Sequence, residues 1–364
     1  MPAIVHLIAA ARPNFMKVAP LYHALAGADD FTPILIHTGQ HYDANMSDDI
    51  FEDLGLPKPD HHMGVGSGSH AEQTGNVMIA YEKIAMQQRP DWLVVVGDVN
   101  STAACAMVGA KLHIPVVHLE AGLRSRDRGM PEEINRLVTD VLSDVMWTPS
   151  PDGDENLAAE GIPASRVTRV GNMMLDSLEI IRPKLDAENS AAKFGLTPGK
   201  YGIVTLHRPS NVDERDKFTA ICHQLAEAAK HVPLIFPMHP RTKGKMAEFG
   251  LESVLADAGI QIVPPQSYLP FMSLMKDAGI AITDSGGLQE ETTYLGIPCL
   301  TLRDNTERPI TITQGTNRLV TAETLLSELK AALAADAPAP TKPEYWDGAT
   351  AGRCLDDLRR RTAA

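Results

Sequence analysis

The sequence is poor in the devices that fasten small extracellular folds. Four cysteines (Cys105, Cys222, Cys299, Cys354) are scattered through 364 residues with no C-x-x-C pair, which excludes a zinc ribbon and gives no disulfide framework. Buried thiols in a reducing compartment are the expectation. Positive charge is also short: 33 basic against 46 acidic residues leave a net charge of −13. That balance argues against a nucleic-acid or anionic-membrane partner, so an anionic ligand must be met by local donors. No apolar run approaches the ~20 residues a bilayer span needs. The apolar start, Met1 to Ala11, has no basic n-region and reads as a first strand rather than a signal peptide, which makes a cytoplasmic protein the expectation.

Several chemical motifs are missing too. There is no H-E-x-x-H and no G-x-S-x-G, and Gly195 to Lys200 is one residue short of a P-loop. Gly66-Ser67-Gly68-Ser69-His70-Ala71 fits a loose dinucleotide pattern, but it follows a polar stretch rather than a strand and reads as a loop. His41, His61 and His62 lack metal-ligand spacing and read as loop histidines.

What is present is alternation. The length favours two domains, and 44% hydrophobic with 22% charged residues is the balance of a globular chain. Short β-branched runs at Ala3–Ala9, Phe31–His37, Trp92–Val96, Pro115–Leu119 and Val145–Pro149 alternate with helical periodicity at Phe15–Gly27, His70–Gln88, Ser101–Leu112 and Glu132–Leu142. The scheme recurs with strands at Gly202–Leu206, Pro233–Pro237, Gly259–Val263, Gly279–Thr283 and Pro298–Leu302. Helices fall near Asp213–Lys230, Tyr268–Asp277, Gly287–Leu295 and Glu323–Ala335. Two doubly wound, Rossmann-like α/β domains are therefore expected, residues 1–170 and 171–350, joined before a helix at Met173–Arg182. A last amphipathic stretch, Ala351–Arg361, is placed to pack back on the first domain.

The polar, Gly- and Pro-marked clusters sit at the C-terminal ends of these strands, the edge where open α/β sheets bind ligands. So many clusters in two halves suggest one interdomain cleft. Asp284-Ser285-Gly286-Gly287 ends a strand and opens a helix, an arrangement suited to phosphate, and Arg12 and Arg308 would add cationic donors. Asp98, Glu120, Glu132, Glu133 and His207 are the proton carriers. Singly, Asp98 reads as an N-cap, Glu132 and Glu133 as first-turn dipole partners, and His207 as a core hydrogen bonder. Together they give a cleft an acid/base inventory.

These clusters, in this order, resemble the non-hydrolysing UDP-N-acetylglucosamine 2-epimerases, relatives of the GT-B glycosyltransferases. The resemblance runs from Arg12-Pro13 to Thr306-Glu307-Arg308-Pro309 and rests most on Glu120-Ala121-Gly122-Leu123-Arg124, Pro131-Glu132-Glu133-Ile134-Asn135-Arg136 and Thr283-Asp284-Ser285-Gly286-Gly287-Leu288-Gln289-Glu290-Glu291. It implies interconversion of UDP-GlcNAc and UDP-ManNAc by a homodimer without metal or nicotinamide. It also implies Asp98, Glu120, Glu132 and His207 as the acid/base set, with Arg12 and Lys17 on the substrate. Gln266, Ser285, Gly286, Gly287, Glu291 and Arg308 would hold UDP, with Glu291 on the ribose. Gln40, His41, Arg208 and His239 match part of a second, activating UDP-GlcNAc site. The chain departs from familiar members at Asn14, where many carry Glu, and at Pro209-Ser210-Asn211 after His207-Arg208.

A C2 proton that is not next to a carbonyl needs a route other than direct deprotonation. Elimination of UDP to a 2-acetamidoglucal, reprotonation from the other face and re-addition of UDP is the route such residues serve. A hydrolysing 2-epimerase, a GT-B glycosyltransferase and a non-catalytic UDP-sugar sensor stay open at this point.

Overall fold

A central parallel strand is buried on both faces, so it needs an almost continuous apolar run. The chain supplies several, and the computed structural model places them side by side. Residues 1–10, 12–39, 51–335 and 342–363 are described, Arg12 and Pro13 by their backbone alone. They form two compact units, Met1–Ile181 with Glu344–Ala364, and Arg182–Pro343.

The first unit is built on a parallel sheet of β1 (Ala3–Ala9), β2 (Phe31–His37), β3 (His61–His62), β4 (Trp92–Val96), β5 (Val116–Leu119), β6 (Val145–Thr148) and β7 (Val167–Arg169), in the order β3-β2-β1-β4-β5-β6-β7. His61 and His62, expected in a loop, instead pair in parallel with Ile36 and His37 as a short edge strand. Helix Asn100–Lys111 is lined with small residues, including Ala103, Ala104, Cys105 and Ala106, and lies close on the sheet. A Cβ at Gly109 would come within 2.7 Å of Val116 and 2.8 Å of Leu93, so glycine permits that approach. Tyr81, Val77 and Ala85 of helix His70–Gln87 close the same core.

Helix Thr350–Thr362 belongs to this unit and is fastened by two buried carboxylates. Asp176 accepts the amides of Thr350 (3.1 Å) and Ala351 (2.8 Å) at its first turn. Asp357 accepts the Trp147 indole at 2.8 Å and the Thr168 hydroxyl at 3.1 Å.

The second unit repeats the plan with β8 (Gly202–Thr205), β9 (Leu234–Pro237), β10 (Gln261–Val263), β11 (Ile280–Thr283), β12 (Cys299–Leu302) and β13 (Asn317–Val320), ordered β10-β9-β8-β11-β12-β13. Phe218, Ile221 and Leu225 of helix Arg215–Ala229 fill its core with Phe236, Ile282 and Leu329. Each sheet reverses its order once, between β1 and β4 and between β8 and β11. Those switch points are where loops diverge and leave a crevice. Among the described residues no helix is long and apolar enough to cross a membrane. All four cysteines are buried and unpaired, and burial raises every thiol.

Candidate active site

In the first unit, polar side chains gather at the ends of β1, β4 and β5. Helix Arg12–Ala26 follows β1 and brings Asn14 and Lys17 inward. Asn14 Nδ2 donates to Val96 O at 3.0 Å, and the buried Lys17 Nζ donates to Glu120 Oε2. Glu120 has a left-handed backbone (φ 75°), unusual for a residue with a Cβ and a mark of strain held by its surroundings. Its amide and that of Ala121 both donate to Trp147 O at 3.1 Å. Gly122 follows with φ 80°, and a Cβ there would lie 2.4 Å from Gly153 O, so both conformation and space demand glycine.

Asp98 is not a helix cap. The helix after β4 starts at Asn100 with Val99 as its N-cap. The Asp98 carboxylate instead takes Arg136 Nε at 3.0 Å and Nη2 at 2.7 Å on one oxygen, and its carbonyl takes Asn135 Nδ2 at 2.9 Å. Arg136 is held in turn by Glu133 Oε2 at 2.7 Å. Glu133 also accepts the Ser125 amide and hydroxyl (2.9 and 3.0 Å) and the Arg126 amide (2.9 Å), pinning the loop beyond Glu120. Burial would raise the Glu133 carboxyl, but these donors carry it below the usual carboxylate range. Glu132 sits in the first turn of helix Pro131–Leu142, half-buried. The motif thus divides its labour: Glu133, expected among the proton carriers, is engaged with Asn135 and Arg136 in holding the turn of Asp98.

Beneath them lies a second pair that the sequence did not suggest. His118 Nε2 donates to Gly97 O at 2.8 Å, while Asp140 holds its other ring nitrogen and also Gly122 N (3.1 Å) and Arg124 Nη2 (2.7 Å).

In the second unit, His207 and Asp284 end the neighbouring strands β8 and β11. Asp284 is fully buried and accepts His207 N (3.0 Å) and Arg208 N (2.9 Å), and its other oxygen lies 2.9 Å from His207 Nδ1. The His207 side chain is 43% exposed, so it is aimed outward by a buried carboxylate rather than placed in the core. Burial opposes ionisation of Asp284, yet the His207 contacts and the two amides keep its carboxyl below the usual range. Arg208 Nε donates to Asp284 O at 2.8 Å, and His239 lies 5.9 Å from the His207 ring. Burial, then the charges of His207 and Arg241, lower the His239 imidazole.

Ser285 opens helix Gly286–Leu295 without a side-chain cap, leaving the first amides to other partners. Over this turn stands Arg308, with Nη1 on Glu307 Oε1 and Nε 2.9 Å from Glu290 Oε1. Glu291 is buried and takes the Tyr268 hydroxyl at 3.1 Å, while Gln266 folds onto Pro264 O at 2.7 Å. The structure therefore groups Lys17, Asp98 and Glu120 in the first unit, and His207, Arg208, His239, Ser285, Gly286, Gly287 and Arg308 in the second. The Arg12 side chain, Gln40 and His41 lie outside the described residues.

Two doubly wound parallel-sheet units of GT-B-like design, each with its ionisable side chains at the sheet's switch point, define an α/β enzyme for a ligand with an anionic part. A family model described as UDP-N-acetylglucosamine 2-epimerase matches residues 23–359. The UDP-N-acetylglucosamine 2-epimerase of Methanocaldococcus jannaschii is 42% identical over 320 residues, 86% of this chain and 87% of that one. The UDP-2,3-diacetamido-2,3-dideoxy-D-glucuronate 2-epimerase of Pseudomonas aeruginosa is 39% identical over 319 residues, with 86% and 87% covered. A crystal structure of M. jannaschii UDP-GlcNAc 2-epimerase in complex with UDP-GlcNAc and UDP superposes with a TM-score of 0.89 at 38% identity, covering 98% of this chain and 99% of that one. The chain belongs to the UDP-N-acetylglucosamine 2-epimerase family and is an isomerase.

Proposed function

We propose that this epimerase interconverts UDP-GlcNAc and UDP-ManNAc in the cytoplasm, as a homodimer, by eliminating and re-adding UDP. The observation that supports it most is the pair of carboxylates at adjacent strand ends. Asp98 is clasped by Arg136 and Glu120 by Lys17. In the forward step one carboxylate takes the C2 proton, a C1–C2 double bond forms, and the C1–O bond breaks with its electron pair passing to UDP. A proton then returns to C2 from the other face, and the UDP oxygen attacks C1 again. Glu132, half-buried beside Glu133, is the remaining proton carrier of the first unit.

The leaving diphosphate would meet the amides of the Ser285–Gly287 turn and Arg308, fixed dipoles and charge already in place before the reaction. Glu291 would take the ribose hydroxyls and Gln266 the uracil edge. His207, oriented by Asp284, would steady the departing phosphate, and Lys17 with Arg12 would serve the substrate from the first unit. Arg208 follows His207, whose ring lies 5.9 Å from that of His239, and Arg208 with His239 would supply part of a second, activating nucleotide-sugar site.

Proton NMR of UDP-GlcNAc with the purified chain in D₂O tests this. The manno isomer should accumulate, with deuterium at C2 of both sugars and no added metal or nicotinamide. Full retention of the C2 hydrogen would rule out elimination. Free UDP with free ManNAc would make the enzyme hydrolysing, and turnover of only the diacetamidoglucuronate nucleotide would reassign the sugar.

A further inference from the structure

Arg303 leaves β12 and enters the loop that carries Arg308. Its side chain is 6% exposed, yet it does not spend its charge on surface solvation or on a remote partner. Nη2 donates to Glu307 Oε2 at 2.8 Å, and the other oxygen of the same carboxylate holds Arg308 Nη1. Glu307 is thus forked between two guanidiniums, one on each oxygen. Burial pushes its carboxyl up, but Arg308 and Arg303 hold it far below the usual carboxylate range.

The fork stands directly over the helix that opens at Gly286. A Cβ on Gly286 would lie 2.8 Å from Glu307 Oε1 and 3.0 Å from Arg308 Nη1. The loop is braced from behind as well: Thr306 Oγ1 accepts the Arg308 amide at 3.1 Å and donates to Gln289 Oε1 at 2.7 Å. Charge converges here. Arg303 and Arg308 both depress the half-buried Arg208 guanidinium, after burial itself. Three arginines therefore face Asp284, Glu290 and Glu307 around one helix start. Among the described residues, the buried Nη1 of Arg303 meets no hydrogen-bond acceptor.

We infer that Arg303 is a positioning residue for nucleoside-diphosphate recognition, setting Arg308 over the Ser285–Gly286 turn through the shared Glu307 carboxylate. The inference rests on the reading that Arg308 meets the diphosphate. Arg303 is too enclosed to touch the ligand itself. Without it, Glu307 keeps one cation instead of two, and its freed oxygen competes for Arg308. The guanidinium aimed at the phosphate would then turn toward the carboxylate, and a buried negative charge would stand beside the arriving anion. The role needs a cation that holds one carboxylate oxygen, so lysine should serve in part and an apolar chain of similar length should not.

Calorimetric titration of UDP and of uridine into the full-length wild type, Arg303→Lys, Arg303→Met and Arg308→Met tests this. Arg303→Met should bind UDP about tenfold more weakly, the loss of one charge-assisted contact. Uridine affinity should stay within about twofold of wild type, since it carries no phosphate. Arg303→Lys should recover more than half of the logarithmic loss. Equal loss of UDP and uridine binding would mean a merely structural role and overturn the inference, as would wild-type UDP affinity in Arg303→Met alongside a weakened Arg308→Met. Wild-type UDP affinity in Arg308→Met would overturn the reading beneath it, and the inference with it. If Arg303→Met does not fold, the same UDP-to-uridine comparison in Glu307→Gln decides: an unchanged ratio sinks the fork, and a reduced one supports it.

Discussion

His118 Nδ1 lies 2.6 Å from Asp140 Oδ1, and neither side chain meets solvent. The ring's other nitrogen holds the carbonyl just before Asp98, and the other carboxylate oxygen holds the amide two residues after Glu120. A pair buried this deeply is costly to break on one side, because the surviving charge has no water to turn to. Its place explains why the fold keeps it: the two turns that carry Asp98 and Glu120 are tied to a common point below the sheet edge.

Acid should expose this dependence. Burial raises the Asp140 carboxyl, but His118 and Arg124 bring it below the ordinary range, and Asp284, Glu133 and Glu307 are likewise depressed. A carboxylate depressed on folding adds stability that is present above its unfolded value, about 4, and is lost as pH falls through the lower folded value. Burial also holds the His6 and His37 imidazoles down to about 4, so the unfolded chain takes up protons there first; thermal unfolding midpoints should begin to fall below about pH 6.5 and drop steeply below about pH 4. Asp140→Asn should cost about 3–5 kcal/mol at neutral pH by stranding the buried Arg124 guanidinium and leaving the His118 ring without its carboxylate. The gap to wild type should then narrow as pH falls. A gap that stays constant down to pH 3 would mean that Asp140 is not ionised in the fold.

Two adjacent glycines separate packing from ligand approach. Neither Gly286 nor Gly287 has a positive φ, so alanine fits the backbone at both. A Cβ at Gly286 meets Glu307 and Arg308, whereas one at Gly287 meets nothing within 4 Å. Gly287→Ala should keep or slightly raise the melting temperature, alanine being the better helix residue by about 0.5–1 kcal/mol. It should still weaken UDP binding, because the methyl stands where a phosphate would approach. Gly286→Ala should weaken both. Wild-type UDP affinity in Gly287→Ala would place the phosphates elsewhere.

The strongly patterned segments were legible in the sequence. β1, β2 and β4 run over the residues their apolar stretches marked, and the helix expected at Tyr268–Asp277 ends one residue earlier. The elements missed include helices Pro151–Ala159 and Pro240–Phe249 and strand β13, and others whose existence depends on neighbours. β3 and β7 are edge strands of two and three residues, His-His and Val-Thr-Arg, with no alternation long enough to register. The helix expected over Met173–Arg182 runs through Pro183 and continues to Ala187. Residue types at strand ends singled out Asp98, Glu120 and His207, and the structure places them just beyond β4, β5 and β8. Their holders did not announce themselves. Arg136 reaches Asp98 across 38 positions, His118 reaches Asp140 across 22, and Asp284, marked in the sequence only as part of a turn, reaches His207 across 77; no local period encodes those.

The carboxylates themselves allow the sharpest test, because the two are held by different cations. Asp98→Asn leaves the half-exposed turn with Arg136 still tied to Glu133, so the fold should be little disturbed. Glu120→Gln leaves the buried Lys17 beside a neutral amide and should lower stability more, by about 3–5 kcal/mol. Both should cut epimerisation by about 10²–10⁴-fold, the usual contribution of a general acid or base, while UDP binding persists. Elimination and return need protons on opposite faces, so the two mutants should fail at different steps. The one that still eliminates but cannot return a proton to C2 should release 2-acetamidoglucal and UDP, visible by NMR and mass spectrometry of the reaction mixture. Near-normal turnover in both mutants would mean that the chemistry lies elsewhere. Weakened UDP-sugar binding with unchanged turnover of bound substrate would make these acids ligand contacts rather than proton carriers.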